Sequence, residues 1–174
     1  MKTMTKTPNN RRSSGFSMIE VLVTLVLISI GVLGMVALQA RTIQYTQDAV
    51  QRNTAAMLAN DLVELIRAMP DELTSFYNAA GTTFPDLPAT GCTPLPAKAA
   101  DQLGCWAEKA KTALPGASDL LASDFYICRT ATANTCSGSG DAIEIQLAWR
   151  VKEGICENSG DDKTICYYRL RTQI

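Results

Sequence analysis

GFSMIEVLVTLVLISIGVLGMVALQ, Gly15 to Gln39, is the stretch on which the chain is built. From Val21 to Leu38 it carries no charge and is broken only by Thr24, Ser29, Gly31 and Gly34. As a helix those residues extend about 27 Å, enough to cross the hydrocarbon core of a bilayer. Lys2, Lys6, Arg11 and Arg12 precede it with no acid among them, a pattern that keeps the N-terminus in the cytoplasm. Everything after Arg41 is then expected on the far side. An ordinary secretory signal is the competing reading. Against it stand the length of the apolar run and Ala37-Leu38-Gln39, which places Gln where a signal cleavage site needs a small residue.

Glu20 is the one charge between Phe16 and Leu38. A carboxylate held in hydrocarbon costs about 3 kcal/mol, and less near the polar rim. It is either an acid snorkelling to the membrane edge or a charge kept for a partner.

Gly15-Phe16-Ser17-Met18-Ile19-Glu20, after a short basic leader and before a long apolar run, resembles the signal and N-terminal helix of type IV pilins and of type II secretion pseudopilins. The resemblance covers about the first quarter of the chain. It implies that a prepilin peptidase cuts between Gly15 and Phe16 on the cytoplasmic side and methylates the new N-terminal Phe16. It also implies that Glu20 meets the amine of a neighbouring subunit during assembly. Further in, Ile30 to Gln39 is similar to the minor pilins called PilV. The sequence departs from many major pilins in having no helix-breaking Pro near Ala37.

The 174 residues leave room for one anchor and one head domain. Without the four leader cations, 12 basic side chains face 17 acidic ones, a balance that argues against a general nucleic-acid binder. The chain has no His, which removes the commonest general base and the commonest metal ligand. Its six cysteines, Cys92, Cys105, Cys128, Cys136, Cys156 and Cys166, all follow the anchor, where an oxidising compartment favours three disulfides. Fifteen pairings are open. The expected one joins nearest neighbours: Cys92 with Cys105, Cys128 with Cys136, and Cys156 with Cys166. Zinc is the alternative, but the sequence has neither a C-x-x-C nor a His to complete a set.

Residues 1–15 are expected to form a cleaved leader, residues 16–40 a transmembrane and assembly helix, and residues 41–174 a periplasmic head. Val50, Thr54, Met57, Leu58, Leu62, Leu65, Ile66 and Met69 keep steps of three and four, so the helix should continue over 41–69 as the spine of the head, until Pro70 ends it. Residues 71–123 read as loop with one short helix, in which Leu103, Trp106, Ala107, Ala110 and Leu114 share a face up to Pro115-Gly116. Over 124–174 the period becomes two. Ile143, Ile145, Leu147, Trp149 and Val151 alternate with Glu144, Gln146, Ala148, Arg150 and Lys152 as a half-buried strand. Phe125 to Thr130 and Ile165 to Thr172 are weaker strands beside it, joined through turn-rich segments into three sequential antiparallel strands. A sheet with one apolar face needs a cover, and the stripe on the helix supplies it. The expected class is α+β and type IV pilin-like: a long N-terminal helix against a small antiparallel sheet, stapled by disulfides.

No enzyme signature, catalytic residue, cofactor or metal set is legible. Ser137-Gly138-Ser139-Gly140 is not a nucleophile elbow, and Glu153, Glu157, Asp161 and Asp162 lack the spacing of a calcium loop. Arg150, Lys152, Arg169 and Arg171 beside Tyr167 fit a contact with DNA or an acidic partner, or simply the wet face of a sheet. The resemblance implies a non-enzymatic minor pilin that starts or primes assembly of a type IV pilus. Its partners would be the prepilin peptidase, other minor pilins and the major pilin, with no specific nucleic acid. It would sit as a single pass in the inner membrane, N-terminus in and C-terminus in the periplasm, before joining the extracellular pilus. A type II secretion pseudopilin is the close alternative, and an anchored periplasmic enzyme or binding module the alternative from another class.

Overall fold

A computed structural model describes residues 15–156 and 160–173. The leader cations Lys2, Lys6, Arg11 and Arg12, and Glu157 of the acidic loop, lie outside the described residues. The chain divides into two units, residues 1–42 and 43–174, and helix α1 (Met18–Ala68) supplies residues to both.

In the first unit, α1 turns large apolar side chains outward on every side, from Met18 and Ile19 to Leu38. A helix apolar all round has no wet face, and this one is long and apolar enough to cross a membrane. Its hydroxyls are satisfied within the helix. Thr24 Oγ1 donates to the Val21 carbonyl at 2.8 Å, Ser29 Oγ to the Leu25 carbonyl at 2.7 Å and Thr42 Oγ1 to the Leu38 carbonyl at 3.1 Å. Those bonds spare an apolar solvent the cost of bare O–H groups.

In the second unit, the end of α1 joins one core with the sheet and two further helices, α2 (Ala99–Ala113) and α3 (Ala117–Leu120). The buried face of α1 is Ala55, Leu58, Ala59, Leu62, Val63 and Ile66. This corrects the expected stripe: Leu58, Leu62 and Ile66 are core, whereas Val50 is 54% exposed and Met57 68% exposed. The small residues Ala55 and Ala59 set the direction of the face, and Val50 and Met57 fall on the other side of the helix. Met69 leaves the helical conformation and Pro70, which has no N–H to continue the ladder, opens a 3-10 turn, Pro70–Phe76. Helix α2 buries Leu103, Trp106, Ala107 and Ala110, the face its periodicity predicts. Trp106 Nε1 donates to the Leu58 carbonyl at 2.8 Å and so ties α2 to α1 inside the core.

Strands β1 (Tyr126–Thr130), β2 (Ala142–Arg150) and β3 (Ile165–Thr172) form an antiparallel sheet in the order β1-β2-β3. Ile127 stands opposite Ile145, and Ile145 opposite Leu170, so one face presents Ile143, Ile145, Leu147 and Trp149 to the core. The architecture is α+β and type IV pilin-like: a long apolar N-terminal helix, a small three-stranded antiparallel sheet and three disulfides.

The expectation of a half-buried β2 needs correction, because every residue from Ala142 to Trp149 is buried. The second face carries a polar layer instead of water. Glu144 is 1% exposed, with Tyr126 Oη donating to its Oε1 at 2.5 Å and the Asn134 amide to its Oε2 at 2.8 Å. Gln146 donates from Nε2 to the Asp124 carbonyl at 2.7 Å and accepts from Arg169 Nε at 2.5 Å. The segment between β1 and β2, drawn back by the Cys128–Cys136 bridge, supplies Asn134 to this layer.

Candidate functional site

The residues singled out in the first unit stand at the start of α1. Gly15, Phe16 and Ser17 precede the helix, and the Ser17 carbonyl accepts the first helical bonds, from the amides of Glu20 at 3.0 Å and Val21 at 3.3 Å. Phe16 is 82% exposed. An added Cβ at Gly15, Gly31 or Gly34 would meet nothing within 4 Å, so the chain's own atoms leave those surfaces open. Glu20 lies in the first turn, where the helix dipole favours an anion, and it is exposed. The ion pairs among the described residues join Arg52 to Asp48, Arg67 to Glu64, Lys109 to Asp61 and Lys111 to Glu108; Glu20 takes part in none. The arrangement is a carboxylate without an ion pair among the described residues, one turn into a helix whose neighbouring side chains are apolar.

In the second unit the cysteines pair as Cys92 with Cys105, Cys128 with Cys136 and Cys156 with Cys166, with Cα separations of 5.7, 5.7 and 5.6 Å. Among the described residues no three acidic or sulfur side chains gather as a metal set. Of the acidic loop, Asp162 accepts from the Thr164 amide at 2.8 Å and from its hydroxyl at 2.7 Å, and these bonds hold its carboxyl below the usual range. It closes a turn.

Of the four basic residues, Arg169 and Arg171 share a face of β3 with Tyr167, while Arg150 stands at the far end of β2. Arg169 lies 5.2 Å from the centroid of the Tyr167 ring, and Arg171 Nη2 donates to the Ala131 carbonyl at 2.8 Å. Arg150, at the far end of β2 opposite Ile165, packs its stem where a Cβ on Gly116 would come within 2.7 Å. Burial, followed by the hydrogen bond to Asp124, pushes the Tyr167 hydroxyl up to about 12. The Tyr126 hydroxyl is likewise pushed up to about 12, by burial and then by its bond to Glu144. The buried Glu144 layer escapes a reading of alternation alone. The signal that could have found it is the short Cys128 to Cys136 loop directly after β1, which folds that segment back over the sheet.

The described residues thus form an α+β unit preceded by an exposed apolar helix of membrane-crossing length. A family model described as Tt1218-like, type IV pilin Tt1218, matches residues 37–109, and one described as the prokaryotic N-terminal methylation motif matches residues 10–36. Together they support a type IV pilin: a structural, non-enzymatic protein carrying a prepilin methylation motif. They imply processing by a peptidase and contact with pilus assembly machinery in general, with membrane anchoring through the apolar helix. No curated protein and no solved structure matches the chain.

Proposed function

We propose that this chain is a minor pilin of the PilV type that promotes the initiation of type IV pilus assembly and is then incorporated into the filament. The observation that carries the pilin-like part of this reading is Glu20, and the similarity of Ile30 to Gln39 to PilV pilins supports the type. Glu20 is an exposed acid with no ion pair among the described residues, set in the first turn of an apolar helix directly after Gly15-Phe16. In this reading residues 1–15 are a leader removed between Gly15 and Phe16, Phe16 is N-methylated, and residues 16–40 hold the protein in the inner membrane with 41–174 in the periplasm. Glu20 meets the amine of a neighbouring subunit near the polar edge of the bilayer, where screening is partial.

Mass spectrometry of the mature protein tests the processing: a methylated Phe16 is expected at the N-terminus, and an intact Met1 or a cut after Ala40 overturns it. Glu20→Ala tests the role. The variant should insert, be cleaved and fold, since the substitution makes the helix more apolar and touches no head residue, yet fail to restore surface pili in a deletion strain at matched membrane levels. Wild-type piliation would leave Glu20 without an assembly role. Co-purified secretion components in place of pilus components would assign the chain to the type II secretion pseudopilins.

A further inference from the structure

The two edges of the sheet are not alike. On β1, Ile127 turns its backbone away from β2 and exchanges bonds with Asn78, N–H to carbonyl at 2.8 Å and the reverse at 2.9 Å, while the Arg129 carbonyl accepts from the Gly138 amide at 3.0 Å. Of the outward groups of Ile127 and Arg129, the Arg129 N–H alone has no partner among the described residues, so that edge is largely filled. Because antiparallel strands direct successive residues to alternate sides, Tyr126, Cys128 and Thr130 bond to β2, and Ile143, Ile145, Leu147 and Trp149 bond onward to β3. Tyr167, Arg169 and Arg171 are thereby left with N–H and carbonyl groups pointing outward. Among the described residues nothing bonds to them. The strand runs eight residues in unbroken register, without a proline.

The side chains along this edge have a definite chemistry. Arg169 and Arg171 stand on the same face as Tyr167, and neither guanidinium has a carboxylate within 4.0 Å among the described residues. A hollow of about 350 Å³ is lined by Arg52, Asn134, Tyr167, Tyr168 and Arg169. Tyr167 and Arg169 belong to one face of β3 and Tyr168 to the other, so the hollow lies along the strand's outer edge, where a further strand would run.

We propose that an extended segment of a partner protein, acidic at alternate positions and apolar between them, adds to β3 as a fourth strand. Backbone bonds to Tyr167, Arg169 and Arg171 would supply affinity. Arg169 and Arg171, which hold neutral partners, the Gln146 side chain and the Ala131 carbonyl, would turn to acids of the incoming strand on one face, and Tyr168 with Leu170 would receive apolar side chains on the other.

The test uses the full chain in detergent micelles and a labelled octapeptide alternating Asp and Val, with a Lys/Val octapeptide as control, read by fluorescence anisotropy and amide exchange. The Asp/Val peptide is expected to bind at least about tenfold more tightly and to slow exchange at Tyr167, Arg169 and Arg171. Arg171→Pro, which removes an outward N–H, should abolish binding, whereas Arg171→Gln, which removes only the charge, should weaken it in part. Retained protection of Ile145 and Leu147 certifies that each variant is folded. If Arg171→Pro fails that check, the Arg169→Glu/Arg171→Glu pair replaces it and should reverse the preference toward Lys/Val. Equal binding of both peptides overturns the proposal. So does protection elsewhere, or an edge already protected in the free protein through a concentration-dependent dimer, since the arginines would then merely guard the edge or a second copy would cover it.

Discussion

Glu144 is a carboxylate 1% exposed in the middle of a central strand, and what makes that tolerable is that both oxygens accept hydrogen bonds, from Tyr126 Oη and from the Asn134 amide. Glu144→Ala leaves a buried hydroxyl and a backbone N–H without a partner, and it is expected to cost about 1–3 kcal/mol of head stability, read as a lowered urea midpoint. An unchanged midpoint would mean that the layer bears no load. The tyrosines of this face make stability depend on pH at the alkaline end. Their hydroxyls sit near 10 in the unfolded chain and are pushed up to about 12 in the fold at both Tyr126 and Tyr167, so the folded state holds protons that the unfolded state has released. Their contribution is whole below pH 10 and is lost as pH rises to about 12. Melts across that window should fall more steeply for the wild type than for Tyr167→Phe. Alternation placed Ile143, Ile145, Leu147 and Trp149 on the core side, and it placed Glu144 and Gln146 in water because period two reports which residues share a face and not what covers that face.

Helix α2 shows how close the elements come. A Cβ added at Gly104 would lie 2.6 Å from the Asp86 carbonyl oxygen and 3.1 Å from that of Pro85, both backbone atoms with little room to yield. Gly104→Ala is therefore expected to destabilise the head by about 1–3 kcal/mol despite a gain in helix propensity, and a rise in thermal midpoint would refute that contact. The elements themselves were largely legible. The apolar face of α2, the end of α1 at Pro70 and the three strands follow from periodicity and from proline chemistry. The tilt of the α1 face was not, since Val50 and Met57 satisfy the spacing rule as well as the buried residues do, and alanines at 55 and 59 carry little weight in a hydrophobic count. The 3-10 turn and α3 are too short to show a period at all.

For the molecule as a whole, the head is held by a modest core and three short covalent loops, with sequence separations of 13, 8 and 10 residues. In the chain-entropy account each loop contributes about 2.5–3 kcal/mol by restricting the unfolded chain. Full reduction should lower the urea midpoint sharply, and the Cys128→Ser/Cys136→Ser pair should do so by about one such share. A midpoint indifferent to reductant would place the stability in the core alone. At this scale the sequence is most informative at its start, where Gly15, Phe16 and Glu20 fall within the span that matches the N-terminal methylation motif. It is least informative at the sheet's margins, because which edge is largely filled depends on where Asn78 arrives from a loop. That asymmetry limits how many strands the sheet can take up. With one margin largely filled, the sheet has a valence of one: a single segment added at β3 saturates it, so strand addition through this sheet ends in a finite complex and not a fibre.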